Sequence, residues 1–446
     1  MKKYILIPIF MFFIFTGANS ASAIEFGEVS MGSSVDIHGY VSQGYLNSSH
    51  NNFFAATDEG SFEFSEAAFN VGTDVSDELH IGIQLLSRKL GEFGKGDVEI
   101  DWAFADYRWK DWLGIRAGKI KLPHGLYNTT RDIDFLRTSI FLPQSVYNEA
   151  WRDTASSIQG VSLYGDIYLG KPGSLSYEFQ GGNGEFPVDS GVATTTADQF
   201  RLMGLEYSAE EYTSDNCGAA SLVWSSPVQG LKFSLTGWLI DFTLQGDVVS
   251  TGFATNVLGA SDMEGSDLGR FDIKTKSVEW TGSVEYSIGD FVFASEYSRN
   301  NYDFEFMPYN SNVIAGINGL IAADMLSEDL ETEGYYGSVS YRFTDWFEAG
   351  AYYSEYYANI DDKDGEANET VPARIGAGYE DHDAWLKDTC LSLRFDITSN
   401  WVLKLEGHKM NGAAILMKQI NTDPNTGLLD TEEDWYLGAA KMTFNF

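Results

Sequence analysis

The chain repeats one pattern from Val35 to its end: stretches in which apolar and polar residues alternate, joined by breaks that are in turn short and long. Leu79, Ile81, Ile83 and Leu85 stand against His80, Gly82 and Gln84; Leu231, Phe233, Leu235 and Leu239 stand against Lys232, Ser234 and Thr236. Period-two alternation places one apolar and one polar face on a β-strand. About sixteen such strands can be marked, separated by seven short turns and eight long loops in strict succession. The short turns include Lys110-Asp111, Gly289-Asp290 and Thr344-Asp345. Val98 to Trp109 carries charge on both faces, which suggests a bulge.

Each apolar face needs a cover. No segment has eighteen consecutive apolar residues, so no transmembrane helix is expected. The start of the chain has the form of an export signal, with Lys2 and Lys3, an apolar Tyr4–Phe15 and a small-x-small site at Ala21-Ser22-Ala23. The expected domains are therefore a signal peptide over 1–23 and one barrel domain over 24–446. In lipid every backbone polar group must be paired, which leaves a closed antiparallel barrel as the spanning form for such a chain. A transmembrane β-barrel of about sixteen strands follows, with short turns at the periplasmic end, long loops outside and hydrocarbon against its outer face. Aromatic residues make up 15% of the chain, too many for a disordered acidic polymer. Trp112, Trp346, Trp401, Phe291 and Phe343 flank short turns, and Tyr353, Tyr356 and Tyr357 lie toward a loop end, where interfacial girdles belong.

The longest break of mixed character lies between the fifth and sixth strands, over about 119–157. A loop of that length is usually functional, and inside a barrel it can fold inward and narrow the lumen. Its bases are Lys119, Lys121, Arg131, Arg137 and Arg152; its acids are Asp132, Asp134, Glu149 and Asp153, one fewer. The whole chain has a net charge of −36, so its acidity is concentrated elsewhere, mainly in the loops. Two arrangements suit this loop: opposed acidic and basic clusters at a constriction, or salt bridges that tie it to the wall. The alternation gives pore-lining candidates at Arg116, Lys232, Glu279, Glu285, Arg342, Glu348, Arg394, Asp396, Lys404, Glu406 and Lys441, because a charge on the other face would meet lipid.

The acidic balance argues against a nucleic-acid partner. Cys217 and Cys390 do not imply a disulfide. Asp361-Asp362-Lys363-Asp364-Gly365 and Asp423-Pro424-Asn425-Thr426-Gly427 miss the full calcium-loop spacing and suit solvated turns, so no metal or cofactor is expected. The histidines (His38, His50, His80, His124, His382 and His408) are scattered without metal-site spacing, and His124 suits a hydrogen-bonding role in the long loop. A barrel hydrolase would need an activated serine near a histidine, and a plugged transporter a longer N-terminal domain and more strands. A purely structural or adhesive barrel remains a further class.

The stretches AGKIKLPHGLYN (Ala117–Asn128) and IQGVSLYGD (Ile158–Asp166) resemble the phosphate-selective family of Gram-negative outer-membrane porins and its relatives. The final strand, ending KMTFNF, is similar to the signal by which the barrel-assembly machinery reads a C-terminal phenylalanine, here Phe446. The resemblance implies a sixteen-stranded homotrimer with one water-filled pore per subunit, an inward loop after the fifth strand, and passive diffusion of small hydrophilic solutes or ions rather than catalysis. Anion or phosphate selectivity is the family's alternative, but the chain lacks a dense basic run along its strands.

Overall fold

The computed structural model describes residues 35–202, 205–250, 267–308, 329–370 and 372–446. The expected signal peptide over 1–23 therefore lies outside the described residues, as do 251–266 and 309–328 in the fifth and sixth long loops. Sixteen strands run in chain order: β1 (Val35–Ser48), β2 (Ser61–Asp74), β3 (Leu79–Leu90), β4 (Val98–Lys110), β5 (Leu113–Lys121), β6 (Ser157–Gly170), β7 (Gly173–Glu185), β8 (Leu205–Ser225), β9 (Leu231–Ser250), β10 (Asp267–Ile288), β11 (Phe291–Pro308), β12 (Asp329–Thr344), β13 (Phe347–Tyr357), β14 (Trp385–Asp396), β15 (Trp401–Gly412) and β16 (Asp434–Asn445). Each pairs antiparallel with its chain neighbours, and β1 pairs with β16 in the register Tyr40 to Asn445 and Gln43 to Met442, so the sheet closes. Closure removes both sheet edges and pairs the wall's main chain without water.

The expected facing is followed around most of the wall. On β10, Ser277, Glu279 and Thr281 are buried while Val278 and Trp280 are exposed to the outside. Trp112, Phe291, Phe343, Trp346 and Trp401 all lie exposed beside short turns, where a belt of rings meets the membrane boundary. Tyr353 is also exposed, but Tyr356 turns inward and packs on a buried apolar cluster. The short turn Gly289-Asp290 works because Gly289 takes a φ of 58°, a left-handed conformation suited to a two-residue hairpin. β4 breaks register against β3 at Gln84/Leu85, next to Asp101, which accounts for charge on both faces of that segment.

Several boundaries differ from those expected. The break between β5 and β6 covers 122–156, shorter at both ends than the expected 119–157, because Lys119 and Lys121 still pair within the sheet. Arg88 lies within β3. The fourth long break is largely ordered: α1 (Gly191–Leu202) follows β7 and β8 begins at Leu205. β8 to β11 are 21, 20, 22 and 18 residues long, against 9 in β5 and 11 in β13. About ten tilted residues suffice to cross a bilayer, so this flank rises well past it at the long-loop end. There the inner face is apolar instead of polar: Trp238, Ile240, Phe242 and Leu244 of β9 pack with Tyr212, Phe271 and Phe200 of α1. A helix seated inside the wall gives those side chains a dry partner, so the polar-inside rule lapses there.

Candidate functional site

Residues 122–156 lie within the barrel and bond to its wall almost all the way round. Gly125 N donates to Thr236 Oγ1 of β9 at 2.8 Å, and Leu126 N to Glu296 Oε1 of β11 at 2.8 Å. Ser145 Oγ donates to the Tyr335 carbonyl of β12 at 3.1 Å, and Thr138 donates to Glu348 of β13. Arg394 of β14 donates to the Phe135 carbonyl at 2.6 Å. Glu406 of β15 accepts from the main-chain amides of Ile140 at 2.9 Å and Phe141 at 3.0 Å. Thr443 of β16 donates to Asp134 Oδ2 at 2.8 Å. The loop has almost no regular structure of its own, only three single turns, so these side chains supply the partners its backbone would otherwise lack.

Charge follows the same route. Asp134 faces Lys404 at 3.0 Å and Lys441 at 3.5 Å, and Lys441 also holds Glu66 of β2 at 2.6 Å. Arg152 reaches Glu66 at 2.7 Å, while Glu149 sits between Arg88 of β3 at 2.5 Å and Arg131 at 2.8 Å. Asp153 faces Arg88 at 3.3 Å, and Arg137 lies 3.8 Å from Asp134. Lys121 bridges Asp132 and Asp101, the latter at 2.8 Å. All of these except Asp153 are almost wholly buried or nearly so, and a buried ion persists only when paired. Burial alone would raise the Glu149 pKa, but Arg131, then Arg88 and Arg152, outweigh it and hold it at about 2. Burial would likewise raise Asp134, and Lys404 with Lys441 holds it far below the usual carboxylate range instead. His124 donates from Nδ1 to Glu279 at 2.9 Å and faces the Val146 carbonyl from Nε2 at 2.9 Å. Burial alone would lower its pKa, but Glu279 raises it above the ordinary value, in keeping with an imidazolium between two acceptors.

The structure thus brings together Lys121, Arg131, Asp132, Asp134, Arg137, Glu149, Arg152 and Asp153 with wall residues Lys404, Glu406 and Lys441. Acids and bases interleave as pairs within the loop and between loop and wall; they do not segregate into two facing clusters. Lys119 shares the strand parity of outward-facing Ile115 and its Nζ donates to the Ile100 carbonyl at 2.6 Å, yet it borders the same cavity as Lys121, Arg131, Asp132, Arg152 and Asp153. The remaining wall candidates form pairs closer to the short turns: Arg116 with Asp106 at 2.9 Å, Lys232 with Glu285 at 2.9 Å, Arg342 with Asp396 at 2.6 Å and Glu348 at 3.2 Å, and Arg394 with Asp396 at 2.8 Å. Beside the loop a cavity of about 340 Å³ is lined by Tyr127, Arg137, Thr138, Glu285, Ser338 and Glu348 among others, with more acid than base.

Four wall groups escaped the sequence reading: Glu66, Arg88, Asp101 and Glu296. Glu296 accepts from Tyr147 at 2.6 Å, Tyr336 at 2.7 Å and Ser283 at 2.6 Å. Its place opposite Phe291 and Phe293 in the alternation was the available signal, obscured because its inner-face neighbours Val292 and Ala294 are apolar too. Cys217 and Cys390 are both free thiols.

No protein-family model and no curated protein sequence matches the chain. Solved structures do. A loop L8 deletion form of OmpT, an outer membrane protein of Vibrio cholerae, is 10% identical with a TM-score of 0.52, over 93% of this chain and 99% of that one. The anion-selective porin from Comamonas acidovorans is 12% identical with a TM-score of 0.51, over 93% of this chain and all of that one. Vibrio cholerae OmpT itself is 12% identical with a TM-score of 0.51, over 93% and 98%. At such identities the likeness is one of architecture alone: the closed antiparallel barrel of this chain resembles the fold of these outer-membrane proteins.

Proposed function

We propose that the mature chain, cleaved after Ala23 and inserted in the outer membrane of a Gram-negative cell, is a porin. It passes small hydrophilic solutes and ions down their gradients and catalyses no reaction. The observation that carries this reading is the bonding of residues 122–156 to the inner wall on most strands, which makes the loop a fixed obstruction in the lumen. The cavity beside that loop, with Glu285 and Glu348 against Arg137, supports a mixed-charge constriction weighted toward cations. Lys121, Arg131, Asp132, Asp134, Glu149, Arg152 and Asp153 then set its shape through their pairs, and Arg116, Lys232, Arg342, Arg394 and Lys404 line the wall. Lys119 has only a peripheral part. A homotrimer, with outer-membrane lipid around it and assembly through Phe446, completes the proposal.

Reconstitution of the full mature chain in a planar bilayer tests it. Discrete ohmic steps are expected, with a reversal potential in a salt gradient that favours cations. A second reading, anion selectivity, has the likeness to the anion-selective porin of Comamonas acidovorans in its favour; a reversal potential of the opposite sign selects it. Absence of any steps from correctly folded protein refutes both.

A further inference from the structure

On the inner wall, β14 and β15 place Cys390 directly opposite His408 in register, with Glu406 two residues before it. These three side chains form the one group among the described residues in which three donors of metal-binding type converge, their ligand atoms all within 4.8 Å of one another. All three are buried. The separations are informative. Cys390 Sγ lies 3.9 Å from His408 Nε2, and Glu406 Oε2 lies 3.4 Å from the same nitrogen. Both are long for hydrogen bonds between such groups, since charge-assisted N–H to carboxylate contacts close to about 2.7–2.9 Å. They are close to the spacing of ligands around one tetrahedral zinc ion: bonds of about 2.3 Å to sulfur and about 2.0–2.1 Å to nitrogen and oxygen put S and N about 3.6 Å apart, and N and O about 3.4 Å apart.

The surroundings complete the pattern. Asp388 faces His408 Nδ1 at 3.0 Å, which holds the ring with its Nε2 edge toward Cys390 and Glu406. A metal-bound histidine is commonly oriented by just such a carboxylate. Tyr352 donates to Asp388 at 2.7 Å, so the orienting group is itself fixed. Ser392 donates to Glu406 at 2.6 Å, and Ser392 and Tyr352 also line the 340 Å³ cavity beside the loop, which reaches these supporting residues and not the three ligands themselves. From Cys390, His408, Glu406 and Asp388 together, the geometry points to a binding site for a thiophilic divalent cation, Zn²⁺ by preference, with Cys390, His408 and Glu406 as ligands and a water in the fourth position. The thiol proton leaves on binding, because the ligand is the thiolate.

A nucleophilic reading of the same thiol, imidazole and carboxylate line fits less well. Glu406 Oε2 lies nearer to Nε2 than the thiol does, and the backbone amides that reach the cluster, those of Ile140 and Phe141, already donate to Glu406. That double use of Glu406 has its own effect: a bound ion would lock the far end of the lumen loop to the β14–β15 hairpin. The inference is independent of any particular solute.

Full mature chain, folded in detergent with Co²⁺ or Zn²⁺ present, gives the test. One Co²⁺ per chain is expected, with tetrahedral d–d bands and a thiolate-to-metal charge-transfer band. Cys390→Ser should abolish the charge-transfer band, and Asp388→Asn should weaken Zn²⁺ retention about 10–100-fold. Cys217→Ser, at the buried thiol on β8, should leave both unchanged. Should Cys390→Ser fail to fold, the wild-type spectrum and the Asp388→Asn titration decide. A wild-type Co²⁺ spectrum without the thiolate band, absence of bound metal, or wild-type Zn²⁺ affinity in folded Cys390→Ser overturns the site.

Discussion

Replacing Asp134 by alanine should loosen the lumen loop at one definable point. Its carboxylate is the counter-ion of Lys404 and the second counter-ion of Lys441, and it accepts from Thr443. Lys441 would keep Glu66 at 2.6 Å. Lys404, with none of its side chain exposed, would keep only the carbonyls of Asp134 and Ser139, at 2.6 and 3.0 Å, and no carboxylate. Breaking a buried ion pair from one side costs roughly 3–5 kcal/mol, which disfavours the seated loop by a factor on the order of 10²–10³ or more. The other anchors, at Glu66, Glu149, Glu296 and Glu406, are untouched, so the expected change is local detachment of residues 133–139 and not loss of the barrel. Single-channel recording should show larger, noisier steps, and the reversal potential should move toward anions because one negative charge has left the lumen. Asp134→Asn, which keeps the shape and some hydrogen bonding, should fall between the two. A folded Asp134→Ala protein with wild-type step size, noise and reversal potential would falsify the claim that this ion cluster holds the loop.

Three further outcomes follow from the same structure. Tyr147→Phe removes the hydroxyl that accepts from the amides of Leu126 and Tyr127 and donates to Glu296; a loss of about 1–3 kcal/mol is expected from denaturant unfolding, and a neutral result would show that the contact is dispensable. Leu235→Arg, on the outward face of β9 where Leu235 is 51% exposed, should destabilise the barrel in lipid by roughly 2–4 kcal/mol if it lies near the midplane, with little effect in a soluble surrogate. The raised pKa of His124 gives a pH dependence: its pairing with Glu279 is fully present below the unfolded histidine value near 6.5 and is lost as pH rises through the higher folded value. Loop protection from proteolysis should therefore fall on the alkaline side, and His124→Gln should flatten that profile.

The strand plan was legible because lipid and water impose opposite demands on alternate residues. Leu231 to Thr236 shows its facing in the letters alone, and the short turn Gly289-Asp290 falls between β10 and β11 where expected. The pairing of Asp134 with Lys404 and Lys441 was not legible, since it joins a loop without periodicity to strands 270 and 307 residues away. Nor was the height of β8 to β11: Trp238, Ile240, Phe242 and Leu244 make the inner face as apolar as the outer one, and alternation fades once a helix covers the inside. The Cys390–His408 pair was hidden for another reason. Its partners are 18 residues apart, a spacing that matches no helical or loop motif and becomes adjacency only across a hairpin.

The uneven strand lengths shape how molecules arrive. Ten or so additional residues at about 3.3 Å each, inclined to the membrane normal, raise the β8–β11 side by on the order of 25 Å. The opening is then a balcony with a parapet on one flank only. On the low side the shelter is made of loops instead of strands: Phe53, Phe54 and Phe93 pack on Ile415, Leu416 and Met417, so a solute meets protein from either flank. Bulky agents such as antibodies would touch the parapet first, far from the hole it shelters.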